Sequence, residues 1–252
     1  MAAVQVTWEE IAHDTSMGRP HVVILGAGAS VAAFPNGDRN GRRLPVMLDL
    51  VDTIGLQGEL QKAGVEYKGR DFEEIYGQLD KDPALSDLRS EVESRVSDYF
   101  SRLELPDHPT LYDYLVLSLR RKDVIATFNW DPFLWAACQR NHDKTQLPRL
   151  FFLHGCAVIG YCWKDKKQGR LGNRCEVCGN RYTPTKLLYP DSNKDYVNDP
   201  YIASQWRSLG HALKAAYILT IFGYGAPKTD AAAIELMSEG WGAPGESNLE
   251  EI

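Results

Sequence analysis

The sequence predicts an open parallel α/β sheet with helices on both faces, carrying a helical insertion and a small cysteine-bearing module of zinc type. Three observations predict it. Four short apolar runs, HVVIL (21–25), DVIAT (123–127), LFFL (150–153) and AYILTIF (216–222), are continuous rather than alternating, as strands buried on both faces are. Helical patterns separate them, as crossovers between parallel strands require. Each run is followed at once by a polar or glycine-rich stretch, and in open parallel sheets ligands bind outside the carboxyl ends of the strands. Four such ends would converge on one crevice.

At 252 residues the chain reads as a single domain, 1–252, with two insertions. Its 44% hydrophobic and 25% charged residues are ordinary for a globular protein, and the length suffices for a core without disulfides. A net charge of −6 supplies no global basic field, so nucleic acid is not directly indicated as a partner. No apolar run reaches the ~18–20 residues of a membrane span. The N-terminal MAAVQVTWEEIAHD is acidic and lacks the apolar core of a secretory signal. A cytoplasmic protein is the expectation.

Between the first two runs, residues 46–107 read as a helical insertion. Leu85, Leu88, Val92, Val96, Phe100 and Leu103 recur at steps of three and four, with Asp82-Pro83 as N-cap and first-turn proline. Its 71–107 stretch is strongly acidic and reads as a solvated cover on the sheet, with a partner surface as the alternative. The second insertion, 160–186, follows the third run and is basic, with little aromatic interleaving, so a solvated loop is preferred over a nucleic-acid contact.

The strand-end motifs follow in order. Gly26-Ala27-Gly28-Ala29-Ser30 offers a tight turn and a helix N-terminus suited to a pyrophosphate, although Val31 stands where a dinucleotide fingerprint has its third glycine; helix–strand packing explains it equally. In Thr127-Phe128-Asn129-Trp130-Asp131-Pro132, Asp131 can cap a helix with proline at its first position. Asn129 is set between aromatics and needs partners that a ligand can supply. His154-Gly155 places an imidazole, near-neutral in its ordinary pKa, at the same rim. Gly223-Tyr224-Gly225 opens the last turn, where Thr229 or Asp230 can cap the next helix. No pair of carboxylates is evident at these strand ends.

Five cysteines, an odd number in a reducing compartment, argue against a disulfide framework. Cys175-Glu176-Val177-Cys178-Gly179 has the form of a zinc knuckle. With Cys162 upstream, a four-cysteine site would want another at 165, where Asp165 stands. Cys162, Asp165, Cys175 and Cys178 are therefore one candidate set for a structural Zn2+, Cys156 is the other candidate for the fourth position, and a metal-free loop is the alternative.

Taken together, GAGAS (26–30), TFNWD (127–131), HG (154–155), the Cys162–Cys178 loop and FGYGAPKTD (222–230) resemble the sirtuin-like NAD-binding family, a Rossmann-like fold. The likeness runs from about residue 20 onward. It is nearest to the bacterial sirtuin-like NADase domains of antiphage defence. The stretch AAFPNGDRNGRRLP (32–45) departs from the deacetylases' loop, and the cysteine set is incomplete; both put an acyl-lysine cleft in doubt.

The resemblance implies NAD+ as substrate, His154 as general base, Asn129 positioning water and ribose, and Asp131 holding the carboxamide. It further implies Gly26, Ala27, Gly28 and Ser30 around the pyrophosphate, Thr127 beside them, and Gly223, Tyr224 and Gly225 at the adenosine, with Arg42 and Arg43 as phosphate contacts. It implies an NAD+ glycohydrolase acting with a homo-oligomer, a partner defence protein or a further domain beyond SNLEEI (247–252). The alternatives are an NAD-dependent protein deacylase and a non-catalytic nucleotide-sensing module.

Overall fold

The computed structural model describes residues 18–143, 146–190, 194–227 and 230–242. The N-terminal segment read above, Thr229 and the SNLEEI end lie outside the described residues. In chain order, β1 (His21–Leu25) leads into α1 (Ala27–Ala33). Four helices follow: α2 (Leu50–Ile54), α3 (Gln57–Lys62), α4 (Phe72–Lys81) and α5 (Ser86–Ser101). After them come α6 (Leu111–Ser118), β2 (Val124–Thr127), α7 (Phe133–Asn141) and β3 (Arg149–Phe152). The strands β4 (Ile159–Cys162), β5 (Lys167–Arg170) and β6 (Thr183–Pro184) precede α8 (Pro200–Ala215), β7 (Ile218–Phe222) and α9 (Ala231–Trp241).

The four apolar runs form one parallel sheet in the order β3-β2-β1-β7. Leu25 pairs with both Thr127 and Phe222, and Thr127 with Phe152, so the carboxyl ends lie level. The run bounds shift slightly. Asp123 stands before β2, its carboxylate accepting from the backbone N–H groups of His21 and Arg120, and Leu153 lies past β3. The chain steps from β1 to β2 to β3 on one side and then returns to β7 on the other, so the topological switch falls between β1 and β7.

Strand alternation divides the core. Val23, Leu25 and Ile125 face a cluster with Phe34, Leu60, Phe72, Val96 and Phe133, burying the sheet under α2 to α7. Val22, Ile24, Val124 and Ala126 face Tyr201, Ile202, Trp206, Leu209 and Met237 from α8 and α9. Local signals set the helix starts. Asp71 accepts from Glu74 N–H, Thr110 and Asp113 form a capping box, and Asp199 accepts from Ile202 N–H with Pro200 at the first position. Asp82 caps only the short 3-10 turn Pro83–Leu85; the α-helix proper starts at Ser86.

Residues 159–184 add a small antiparallel sheet, β5-β4-β6. Its root, Val158, Ile159 and Tyr161, belongs to the second core cluster. Among the described residues no helix is long and apolar enough to cross a membrane.

Candidate active site and metal centre

All four strand-end motifs line one cavity of about 410 Å3, a size ordinary for small-molecule sites. It sits at the switch between β1 and β7. Gly26, Ala27, Gly28 and Ser30 come from the first motif, Phe128, Asn129, Trp130 and Asp131 from the second, His154 from the third, and Gly223, Tyr224 and Gly225 from the last. The helical segment closes one side with Leu44, Pro45, Val46, Met47 and Phe100. Thr127 does not line the cavity; buried in β2, its Oγ1 accepts from the Asn129 backbone N–H at 3.0 Å.

Several expected roles change. The glycines of the first motif are required by close packing. A Cβ on Gly26 would lie 2.5 Å from the Gly223 oxygen, and one on Gly28 would lie 3.0 Å from Gly223 Cα. The N–H groups of Gly26 and Gly28 donate to Phe222 and Gly223 oxygens, and that of Ala29 to Gly26 O. Two of the amides that a pyrophosphate was expected to take, those of Gly26 and Gly28, are thus committed to the end of β7 and its turn. Arg42 pairs with Asp38 and Arg43 with Asp49, and neither lines the cavity.

Asn129 finds partners within the protein, and Asp131 does not take the N-cap position expected of it. Asn129 Nδ2 donates to Gly26 O and to Ser30 Oγ, each at 2.9 Å. Ser30 Oγ in turn donates to Asp131 Oδ2 at 2.7 Å, so the Tyr112 hydroxyl donates to Ser30. Asp131 Oδ1 accepts from Phe133 N–H at 3.2 Å, while Pro132 takes the cap position. Burial raises the Asp131 carboxyl to about 6, against the lowering effect of these hydrogen bonds. Asn129 Oδ1 makes no hydrogen bond among the described residues. Trp130 Nε1 is buried without a partner among them.

His154 also has company. Its Nε2 lies 3.2 Å from the Tyr196 hydroxyl and 4.0 Å from Asp230 Oδ1, and its ring meets the Phe128 edge-on at 4.8 Å. Phe128 stacks flat on Tyr224 at 4.2 Å. Asp230 heads α9 but makes no side-chain cap; it accepts from Lys194 Nζ and from the Tyr224 hydroxyl at 3.0 Å. Burial pushes the His154 imidazole down to about 3, with Asp230 opposing and Lys194 reinforcing the shift. The expected near-neutral histidine is therefore an uncharged one, a neutral acceptor next to a carboxylate able to stabilise its cation.

The structure also overturns the reading that no carboxylate pair stands at the strand ends: Asp131 and Asp230 both line the cavity. Tyr112, Lys194 and Tyr196 carried no sequence signal, since each lies outside the strand-end motifs. Asp230 was in view, but only as a cap.

Cys162, Asp165, Cys175 and Cys178 form a group that could hold a metal ion. The ligand atoms of Cys162, Asp165, Cys175 and Cys178 all lie within 4.8 Å of one another. Cys162 Sγ is 3.5 Å from Cys178 Sγ, and Asp165 Oδ2 is 3.2 Å from Cys175 Sγ. Tetrahedral zinc with Zn–S of ~2.3 Å and Zn–O of ~2.0–2.2 Å spaces its ligands by about these distances, so three thiolates and a carboxylate fit the ion. Cys156 is excluded as the fourth ligand: it is buried elsewhere, donating to Asp131 O at 3.4 Å.

The fold and site define an open parallel α/β protein with a strand-end cavity and a cysteine–aspartate centre. No protein-family model matches the chain. Methionine–tRNA ligases of Thermococcus onnurineus and Pyrococcus furiosus are each 33% identical over 94 residues, 37% of this chain and 11% of the ligase, so the match spans a small part of those enzymes. Similar solved structures include a sirtuin studied for substrate affinity (TM-score 0.45, 15% identity, 98% of this chain and 86% of that one). They also include a Sir2 enzyme studied for mechanism and regulation (0.45, 16%, 93% and 81%) and a Sir2 variant with a p53 peptide and NAD (0.40, 15%, 98% and 85%). Scores this low establish no residue-by-residue correspondence.

Proposed function

We propose that the cavity binds NAD+ and hydrolyses its nicotinamide–ribose bond, releasing nicotinamide and ADP-ribose. The observation that carries this reading is the convergence of Asn129, Asp131, His154 and the two glycine turns, far apart in sequence, on one cavity. The order of those motifs along the chain, which resembles the sirtuin-like family, supports it. The uncommitted Asn129 Oδ1 and the unpaired Trp130 Nε1 supply an acceptor and a donor for a polar ligand.

Nicotinamide leaves as a neutral base from a cationic linkage, so departure needs no proton; the site must favour a cation-like ribose and deliver water. Asn129 Oδ1 orients that water. As its oxygen bonds to the anomeric carbon and the C–N bond breaks, one water proton passes to neutral His154, with Asp230 favouring that cation against burial and Lys194. Asp131 holds the substrate through the network that ties Ser30 to Asn129. The biological setting that the resemblance suggests is NAD depletion in antiphage defence, in the cytoplasm, with oligomerisation or a partner switching the activity on.

The test is nicotinamide release from NAD+ alone, with an acyl-lysine peptide, and with the proteins encoded beside this one. Release without peptide is expected. Asn129→Ala and His154→Ala should each lower it by about 10²-fold or more, the double variant being little worse. Release only with peptide would make the protein a deacylase, and NAD+ binding without turnover in every mixture would make it a nucleotide sensor.

A further inference from the structure

The cysteine module reverses the charge of the chain. Residues 160–186 hold seven Lys and Arg against Asp165 and Glu176, a net +5, while the whole chain carries −6 and the remainder therefore −11. In the remainder, Arg39, Arg43, Arg89, Arg95 and Arg140 all form ion pairs. In the module, no lysine or arginine forms an ion pair among the described residues, and Lys164, Lys166, Lys167, Arg170, Arg174 and Arg181 are exposed.

The candidate metal centre draws part of this charge together. Asp165 lies between Lys164 and Lys166 in the β4–β5 turn, and its carboxylate touches Cys175, the neighbour of Arg174. Arg174 stands directly across an isolated antiparallel bridge from Arg181. Like charges placed opposite one another are destabilising, and neither arginine forms an ion pair among the described residues. Beside Lys164, Trp163 is 49% exposed.

Cations without ion pairs and an indole half exposed in one small module, its ring edge-on to Tyr161, are the parts of a single-strand binding surface, where cations follow phosphates and a base stacks on the ring. We propose that this end of the module binds single-stranded nucleic acid, with Lys164, Lys166, Arg174 and Arg181 at phosphates and Trp163 as the stacking platform. A duplex offers no unstacked base to Trp163. The acidic helices of a second copy are a weaker fit, because Asp80, Glu59, Glu91 and Asp98 are already paired with arginines of their own chain. The surface is independent of the NAD reading and stands whether or not the cavity turns over NAD+.

The experiment uses zinc-loaded full chain and labelled uridine and thymidine oligomers of about 20 nucleotides, read by fluorescence anisotropy. Four phosphate contacts predict a slope near −3 in log affinity against log salt, roughly a 50-fold loss between 50 and 200 mM. The triple variant Lys164→Gln, Lys166→Gln, Arg174→Gln should lose at least about 10-fold in affinity with zinc content and melting unchanged, and Trp163→Ala roughly 5-fold or more. Tighter binding of the uridine oligomer would mark RNA as the source, and of the thymidine oligomer DNA. No binding at 50 mM salt, or binding undiminished in the triple variant, overturns the proposal. Light scattering that shows self-association lost in the triple variant, without oligomer binding, assigns the surface to a second copy instead.

Discussion

At the scale of single residues, the cavity holds charge that burial penalises. Asp131 ionises near 6 when folded, above its ordinary ~3.9. A raised carboxyl contributes stability that is fully present below the unfolded value and is lost as pH rises through the folded one. Asp131→Asn should therefore melt at or above the wild type at pH 8 and by a smaller margin at pH 5, the gap closing only below ~3.9, while NAD+ cleavage falls. Melting curves at the two pH values check this; a variant less stable only at pH 8 would show that the charge is held favourably. Lys194 sets the second balance. It neutralises Asp230, which otherwise raises the His154 pKa. In Lys194→Met, imidazole 15N shifts should show the His154 pKa rising, with burial still holding it below its ordinary value, and adding Asp230→Asn should reverse the rise. Breaking a buried pair costs roughly 3–5 kcal/mol, so the single variant should also melt lower.

At the scale of elements, the first and last strands are joined by their turns. Gly223 adopts φ 67°, and a Cβ there would meet Ala29 N at 1.9 Å. The two turns leave space for backbone only. Gly28→Val should cost about 1–3 kcal/mol by overpacking and lower the melting temperature, with ligand binding lost as a consequence. Were Gly28 needed only for close approach of a phosphate, binding would disappear with melting unchanged; calorimetry beside a nucleotide titration separates the two. Gly223→Ala should be worse, since strain and collision coincide.

At the scale of the whole molecule, the module has a buried root and a tip that carries the candidate metal centre. Ile159 and Tyr161 pack in the second core cluster, whereas residues 163–182 have a short ladder and the candidate ligands Asp165, Cys175 and Cys178, which face Cys162. Elemental analysis should give about one zinc per chain. Cys175→Ser with Cys178→Ser should lose the metal, since structural zinc contributes folding energy directly. Limited proteolysis should then cut within 163–182 while the parallel sheet keeps its circular dichroism. Zinc-free wild type with unchanged melting would remove the metal from the account of stability.

How much was legible follows from how each feature is encoded. The sheet and its strand ends were readable because a strand buried on both faces must be a continuous apolar run, as HVVIL and VIAT are; the edge strands β3 and β7 are apolar too, but the structure leaves them partly exposed, with Thr220 and Ile221 of ILTIF open on the outer edge. Connectivity then placed Asn129, His154 and Gly223 at one rim. Cys162, Asp165, Cys175 and Cys178 were readable as a candidate set because knuckle spacing is local, though only the tertiary structure sent Cys156 to Asp131 and left Asp165 beside the three thiols. The Asp230–Lys194–His154 contact was not readable. It joins three separate segments, and nothing in the neighbours of Lys194 signals a partner 36 residues away. The charge states of Asp131 and His154 were decided there too, because desolvation depends on what covers a group. By itself the sequence determined the strands, the order of the motifs and the knuckle, all of which rest on local pattern; only the tertiary structure decided which polar atoms are already satisfied, because that is settled by long-range packing.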